Sequence, residues 1–289
     1  MFVTVNSFYQ SLFHCKTYKI SLDAGCTCPT RDGTFDTRGC IFCSGAGSGD
    51  FAVQDIEKAK QIVAGKINTD VPVKYITYFQ SFTNTYGDLN RLCALWEQAL
   101  SAPDVVGLAL GTRPDCLSKE CVDYLGRLAE KTFVQVELGF QTAAEDTAKY
   151  IRRGFDNAVY FDAVERLHRA NPRIHVVTHV IFGFPGESPE QMMNTVRTVV
   201  DSGADGIKIT SLYVLKGTDL EQEYQKGTFS VLDENEYYAL LESALKLIPH
   251  KMVIHRLTGD PPKRLLVAPL WTTDKKRAVN RIRPMLAKY

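Results

Sequence analysis

Four of the chain's eight cysteines fall between Cys26 and Cys43, as Cys26-Thr27-Cys28 and Cys40-Ile41-Phe42-Cys43. Thiolates gathered in this way are soft ligands, and the chemistry they offer is metal binding rather than core packing. Pro29, Asp32, Gly33, Asp36, Thr37 and Gly39 between them are turn formers, which let the backbone fold back so that separated side chains approach one point. A C-x-C plus C-x2-C grouping fits a tetrahedral zinc held by four thiolates, the commonest use of such patterns. It fits a three-cysteine iron–sulfur site as well, because a C-x-C pair chelates one ion awkwardly and eleven residues separate Cys28 from Cys40. In that second arrangement one iron stays open to an amine and a carboxylate from outside. Cys15, Cys93, Cys116 and Cys121 show no ligand spacing and read as small hydrophobes.

The elements that must hold this loop alternate regularly. A strand over 18–22 delivers the chain into it, and a helix over 55–67, with Ile56, Ala59, Ile62, Val63 and Ile67 on one side, follows it. Apolar strands are expected over 73–79, 105–110, 133–138, 174–182 and 206–212. Helices are expected between them over 89–100, 118–130, within 144–170, and from Ser188 to 203. The last of these begins at Ser188-Pro189-Glu190-Gln191, an N-cap serine with proline at the first helical position. Six apolar strands alternating with amphipathic helices predict an α/β fold with a parallel sheet, open or curled into a barrel. Asp233-Glu234-Asn235-Glu236 then caps a helix over 237–247, a late strand covers 252–256, and a basic tail closes the chain. The organisation read from this is a leader over 1–17, a main unit over 18–232 with the cysteine loop at 25–51, and a C-terminal extension over 233–289. The run from Ser44 to Gly49 superficially resembles a nucleotide loop, but it follows the cysteine loop rather than a buried strand.

In parallel α/β sheets, functional groups gather at the carboxyl ends of strands. Those ends are polar here: Gln80-Ser81-Phe82-Thr83-Asn84 after the second strand, Thr112-Arg113-Pro114-Asp115 after the third, Glu137 within the fourth and Gln141 after it, and Gly183-Phe184-Pro185-Gly186-Glu187 after the fifth. Thiolates, an arginine, a glutamate and several amides on one rim predict a pocket for a metal group and a zwitterionic small molecule.

Composition sets the outer limits. At 45% apolar and 23% charged, 289 residues suit a globular protein, and no apolar run approaches the roughly eighteen residues of a membrane span. The first residues lack the pattern of a secretory signal, so a cytoplasmic chain with reduced thiols is expected. The net charge of +1 conceals a basic tail: residues 263–289 carry eight Lys or Arg against Asp274, or +7, leaving about −6 elsewhere. Such a tail could contact phosphates, with Trp271 and Tyr289 as stacking groups, or it could be a solvated helix face with Trp271 packed inside.

Cys28-Pro29-Thr30-Arg31-Asp32-Gly33 and Gly39-Cys40-Ile41-Phe42-Cys43 resemble the radical S-adenosylmethionine (SAM) superfamily, in the branch related to the catalytic subunit of Elongator and, within it, the YtqA/YhcC group. The resemblance runs on through 44–51, 78–85, 112–117, 136–142, 215–218 and 255–260. It implies a partial (β/α)6 barrel with a [4Fe-4S] cluster held by Cys28, Cys40 and Cys43, leaving Cys26 surplus, and Phe42 near the adenine of SAM. It implies reductive cleavage of SAM to a 5′-deoxyadenosyl radical, with electrons from a reductant such as flavodoxin or ferredoxin. Ile151-Arg152-Arg153-Gly154-Phe155-Asp156 resembles the family's arginine segment after the fourth strand, with Phe155 where relatives often carry His. Arg153 is therefore expected to hold the SAM carboxylate; otherwise it is a surface helix arginine. Gln80, Ser81, Arg113, Glu137 and Gln141 are candidates for the SAM site, the first two and last two for its amino group and ribose, and Ile181 is expected beside adenine.

The resemblance further implies tRNA as substrate, with the wobble uridine converted from its 5-carboxymethylaminomethyl to its 5-aminomethyl form. Lys216, His255, Arg256 and Asp260 are the expected substrate contacts, with buried structural pairing as the plain alternative. Two other readings stay open: the same radical chemistry on a different RNA or a small molecule, and a zinc-stabilised, noncatalytic RNA-binding protein.

Overall fold

The structure, a computed structural model, describes residues 2–65, 67 and 71–289. Seven parallel strands form one sheet: β1 (Lys16–Leu22), β2 (Val73–Phe79), β3 (Val105–Thr112), β4 (Phe133–Gln141), β5 (His175–Phe182), β6 (Gly206–Ser211) and, after a two-residue β7 (Val214–Leu215), β8 (Val253–Arg256). Their spatial order follows the chain, β1-β2-β3-β4-β5-β6-β8, so the sheet is wound in one direction and left open at its edges. The six expected strands are present, and the late strand joins them as a seventh, parallel to β6. The partial barrel expected from the resemblance is what the chain forms.

Helices α2 (Ile56–Ala64), α3 (Leu89–Leu100), α4 (Lys119–Leu128), α5 (Glu145–Tyr150), α6 (Asn157–Ala170) and α7 (Pro189–Asp201) connect the strands. The expected helix over 55–67 ends at Ala64, and residue 66 of that span lies outside the described residues. Most of these helices start on a side chain that accepts a hydrogen bond from the first turn: Asp55, Asp88, Ser118, Asp156 and Ser188. Their apolar faces bury Leu92, Trp96, Leu125, Tyr160, Leu167 and Val196 against the sheet's outer face, in one core that runs from Phe2 to Ile282.

Strand parity decides what faces inward. In β1, Ile20 and Leu22 enter that core while Thr17, Lys19 and Ser21 line a central cavity. In β6, Ile207 and Ile209 enter the core while Lys208 and Thr210 line the cavity. The concave face of the sheet thus carries charged and polar groups, beside a small apolar cluster of Ile76, Tyr78 and Ala109.

The expected leader is a helix, α1 (Val5–Phe13), with a Thr4–Ser7 capping box. It crosses the barrel floor: Val3 O accepts from Ile254 N at 2.8 Å, and Tyr9 Oη donates to Gln135 Oε1 at 2.9 Å. At the other end of the chain, α8 (Asp219–Gln225) follows β7, and β9 (Leu266–Ala268) pairs antiparallel with β7. α9 (Glu234–Leu245) packs against α7, and α10 (Lys275–Lys288) adds Ile282 to the main core. Tyr237 Oη ties α9 to the sheet by donating to Ile209 O (3.2 Å) and Leu257 O (3.0 Å).

The basic tail is partly neutralised within the fold. Arg277 pairs with Glu234 at 2.5 Å, Arg281 reaches the same carboxylate at 3.6 Å, Lys275 pairs with Asp260 at 2.6 Å, and Lys288 pairs with Glu242. Trp271 donates to Leu232 O at 3.1 Å and packs on Tyr237, and Tyr289 Oη donates to Glu242 at 3.1 Å. Both aromatic side chains therefore pack in the fold rather than stand out as stacking platforms. Lys263, Arg264, Lys276 and Arg283 remain exposed and without an ion pair among the described residues.

Candidate functional site

The concave face and the cysteine loop enclose a cavity of about 580 Å³, within the range of small-molecule sites. Cys28, Cys40 and Cys43 stand on its wall. The loop reaches them by folding on itself: Gly39 N donates to Thr30 O at 2.7 Å and Cys43 N to Cys40 O at 3.1 Å. Arg31 clamps the turn by donating to the carbonyls of Cys43 (3.0 Å) and Ser44 (2.9 Å), and Arg152 Nε donates to Gly39 O at 2.7 Å.

Burial pushes the Cys40 thiol up to about 12, with Cys43 and Cys28 adding repulsion, and burial likewise raises Cys43. The three sulfurs thus share one environment. Cys26 does not belong to it: the side chain is buried in the main core, where Sγ accepts from Arg91 Nη2 at 3.8 Å. Among the described residues no three His, Cys, Asp or Glu side chains converge on a single-ion position. Cys26 thus stands apart from the other three cysteines of the loop, in the core rather than on the cavity wall. Three thiols that line one cavity are the number of protein ligands a cluster with one open iron needs.

The rim residues separate into those that face the cavity and those that do not. Phe42 is on the wall, tilted against Phe184 at 5.6 Å, and Ile181 lines the opposite strand. Gln80 lines it too, with Nε2 donating to Ser48 O at 2.7 Å. Ser81 does not: it is buried beneath the glycine-rich segment, where a Cβ added to Gly49 would stand 2.7 Å from Ser81 Cβ. Gln141 lines the cavity at a register shift in β4, in a left-handed backbone conformation (φ 65°). Its amide nitrogen faces the carbonyls of Gly139 (3.0 Å) and Phe140 (3.1 Å).

Arg113 lines the cavity and binds Asp115 through two parallel bonds of 2.9 and 2.7 Å. Burial alone would weaken its charge, but the Asp115 carboxylate outweighs this and holds the guanidinium pKa above its ordinary value.

Arg153 is neither the free carboxylate fork nor the surface arginine that its sequence position suggests. It is buried between the rings of Phe140 and Phe155, and it donates to Phe155 O (2.9 Å), Thr142 O (2.6 Å), Phe140 O (3.3 Å), Asn157 Oδ1 (3.1 Å) and Glu145 Oε2 (3.4 Å). All five donors of a guanidinium are engaged, so this geometry leaves none for a SAM carboxylate. Burial lowers its pKa to about 10.

Glu137 was expected to touch SAM, but it lies midway along β4 within a buried charge network. Lys19, Lys208 and His179 all bond its carboxylate, the last at 2.8 Å. Burial raises its pKa, but the two lysines outweigh burial and keep the carboxylate ionised well below the ordinary range. The two ammonium groups lie 4.9 and 5.0 Å from the centre of the Tyr78 ring. Of the expected substrate contacts, His255, Arg256 and Asp260 reach the cavity wall, whereas Lys216 does not; it is exposed on the β7–β9 ribbon. His255 Nε2 lies 2.8 Å from His175 Nε2, and Asp260 is paired with Lys275. Lys19, Tyr78, His179, Lys208 and Tyr213 are site residues that the sequence reading missed. For Lys19, Tyr78, His179 and Lys208 the signal was the polar parity within otherwise apolar strands; Tyr213, in the link between β6 and β7, carried none.

A one-way parallel half-barrel with three cysteines facing its central cavity defines a cofactor-dependent α/β enzyme class. The chain belongs to the radical SAM superfamily: the superfamily model matches residues 35–199, and the Radical_SAM C-terminal domain model matches residues 204–288. It is 41% identical over 276 residues to the uncharacterized protein YtqA of Bacillus subtilis, covering 94% of this chain and 85% of that protein. It is 32% identical over 261 residues to YhcC of Escherichia coli K12, covering 90% and 84%. A tRNA uridine(34) acetyltransferase of Dehalococcoides mccartyi is 29% identical over 168 residues, 57% of this chain and 36% of that protein. Among solved structures, the archaeal Methanocaldococcus infernus Elp3 superposes with a TM-score of 0.65 at 20% identity. That match covers 92% of this chain, which spans 63% of the Elp3 chain. The protein is a radical SAM enzyme, and a [4Fe-4S] cluster and SAM are its cofactors. The noncatalytic zinc reading is thereby overturned. No described helix is long and apolar enough to cross a membrane.

Proposed function

We propose that the enzyme acts on the wobble uridine of tRNA, converting the 5-carboxymethylaminomethyl group to 5-aminomethyl. Loss of a hydrogen atom from the carboxymethyl CH2 and return of a second electron to the cluster would give an imine, which water would hydrolyse to the 5-aminomethyl group and glyoxylate. Cys28, Cys40 and Cys43 would hold the cluster, and Phe42, Gln80, Arg113, Gln141 and Ile181 would surround SAM. When bound, the cluster and SAM supply a 5′-deoxyadenosyl radical, which can break an unactivated C–H bond beside nitrogen that acid–base side chains cannot. The chain's own contribution is a cavity that gathers the thiols and the cations Lys19, Lys208 and Arg256, and a loop clamped by Arg31. A small electron carrier such as flavodoxin or ferredoxin would provide the reductant.

The observation that carries this reading is one cavity lined both by the three thiols and by Lys19, Lys208 and Arg256, which suits a substrate with a carboxylate beside the reacting C–H bond. The tRNA part draws support from the relative that acts on tRNA uridine 34 and from the exposed Lys263, Arg264, Lys276 and Arg283. Comparing nucleosides of tRNA from cells with and without the gene tests it. Loss of the gene should raise 5-carboxymethylaminomethyluridine and deplete its 5-aminomethyl product and anything made from it. An unchanged wobble profile would favour another RNA or a small-molecule substrate.

A further inference from the structure

The inner end of the cavity carries more positive than negative charge. Lys19, Lys208 and Arg256 all line it, and the carboxylate set among them is Glu137. Asp260, the other acid on that wall, is paired with Lys275. Depth matters as much as number. The Glu137 side chain is 0% exposed, while those of Lys19 and Lys208 are 18% and 11% exposed. The carboxylate therefore lies behind the ammonium groups, and the cavity meets the cations.

Each ammonium has three donors and gives one to Glu137. The Arg256 guanidinium makes no hydrogen bond or ion pair among the described residues and is exposed on the same wall. Tyr213 Oη, also on that wall, is buried with no partner. A buried hydroxyl such as that of Tyr213 is costly to leave without a partner, and the exposed Arg256 guanidinium is free to turn to a ligand. Burial drives the Lys208 pKa down to about 7; Glu137 opposes this in part, and Lys19 and Arg256 add smaller lowering effects.

We propose that Lys208, together with Lys19 and Arg256, binds the carboxylate of the substrate, with Tyr213 Oη as an additional donor. Resting on the function proposed above, this assigns the carboxymethyl end of the modified uridine to the interior of the barrel and the uridine to the mouth. Glu137 is then a positioning residue: it holds both ammonium groups in place and competes with the ligand for them.

The test uses anaerobic protein with its cluster and SAM in place, and calorimetric titration with N-methylglycine, its uncharged-carboxyl methyl ester, and inorganic phosphate. N-methylglycine should bind, and the ester and phosphate should bind much more weakly. Lys208→Met and Arg256→Gln should each weaken N-methylglycine about tenfold or more, the effect of losing a charged hydrogen bond. Glu137→Gln should change it in the opposite direction, tightening binding. Arg256 is exposed, so its variant keeps the test valid should a buried substitution fail to fold.

SAM affinity should be unchanged in Lys208→Met. A tenfold loss there would mean that the lysines hold the SAM carboxylate instead, and would overturn the proposal. Equal affinity for acid and ester, preference for phosphate, or indifference to all three substitutions would also overturn it. Lys208-dependent binding of N-methylglycine alongside an unchanged tRNA nucleoside profile would refute the tRNA reading and leave the carboxylate site standing.

Discussion

His175 Nε2 and His255 Nε2 stand 2.8 Å apart in the barrel floor, a contact that one shared proton satisfies and two would break. Burial holds His175 down to about 4 and His255 well below the ordinary histidine range, and burial also holds His179 at about 4 beside Glu137. The folded values lie below the unfolded value of about 6.5, so the unfolded chain binds more protons in acid. Stability should be full above about pH 6.5 and fall as pH drops toward 4, each unit of depression contributing about 1.4 kcal/mol. Urea midpoints measured across that window should show the decline, and His175→Phe should make it shallower. A flat profile would contradict neutral burial of these rings.

The cysteines should behave unequally. Cys26→Ser should leave about four irons per chain and the visible absorbance of the cluster unchanged. Cys28→Ser, Cys40→Ser and Cys43→Ser should each abolish both. Iron analysis of anaerobic protein decides this, and loss of iron in Cys26→Ser would return that residue to the ligand set.

Gly49 is required by its neighbour. A Cβ there would stand 2.7 Å from Ser81 Cβ and 2.8 Å from Ser81 Cα, and backbone cannot yield cheaply. Gly49→Ala should therefore destabilise the protein by about 1–3 kcal/mol, the usual cost of overpacking. Denaturant unfolding would show it, and a neutral result would mean that the two segments are not in contact.

The tail's cations should divide by function. Replacing Lys263, Arg264, Lys276 and Arg283 with Gln should weaken tRNA binding and reduce its salt dependence, because exposed unpaired cations release counterions from phosphates. Glu234→Gln should instead loosen α10 from α9, lowering thermal stability with the salt slope retained. Filter binding at several salt concentrations separates the two, and an unchanged slope in the quadruple variant would place the RNA elsewhere.

Much of this was legible in the sequence. Cysteine spacing marked the loop, and apolar strands between capped helices marked a parallel sheet, because both signals are local. The floor helix was missed although Val5, Phe8, Tyr9, Leu12 and Phe13 repeat at helical spacing behind Thr4 and Ser7; a short polar start masked it. The inner charge network was missed because Lys19, Glu137 and Lys208 are far apart in the chain, and only sheet curvature brings them together. Arg153 misled for a related reason: two of its partners, Phe140 O and Thr142 O, are backbone carbonyls at the irregular end of β4, which no side-chain pattern records.

The most direct test of the whole account is turnover in vitro. Anaerobic protein with its cluster, SAM and a strong reductant would be given tRNA from cells lacking the gene. The account predicts that 5′-deoxyadenosine forms while wobble 5-carboxymethylaminomethyluridine disappears and 5-aminomethyluridine appears in its place. Formation of 5′-deoxyadenosine with that nucleoside left intact would contradict it.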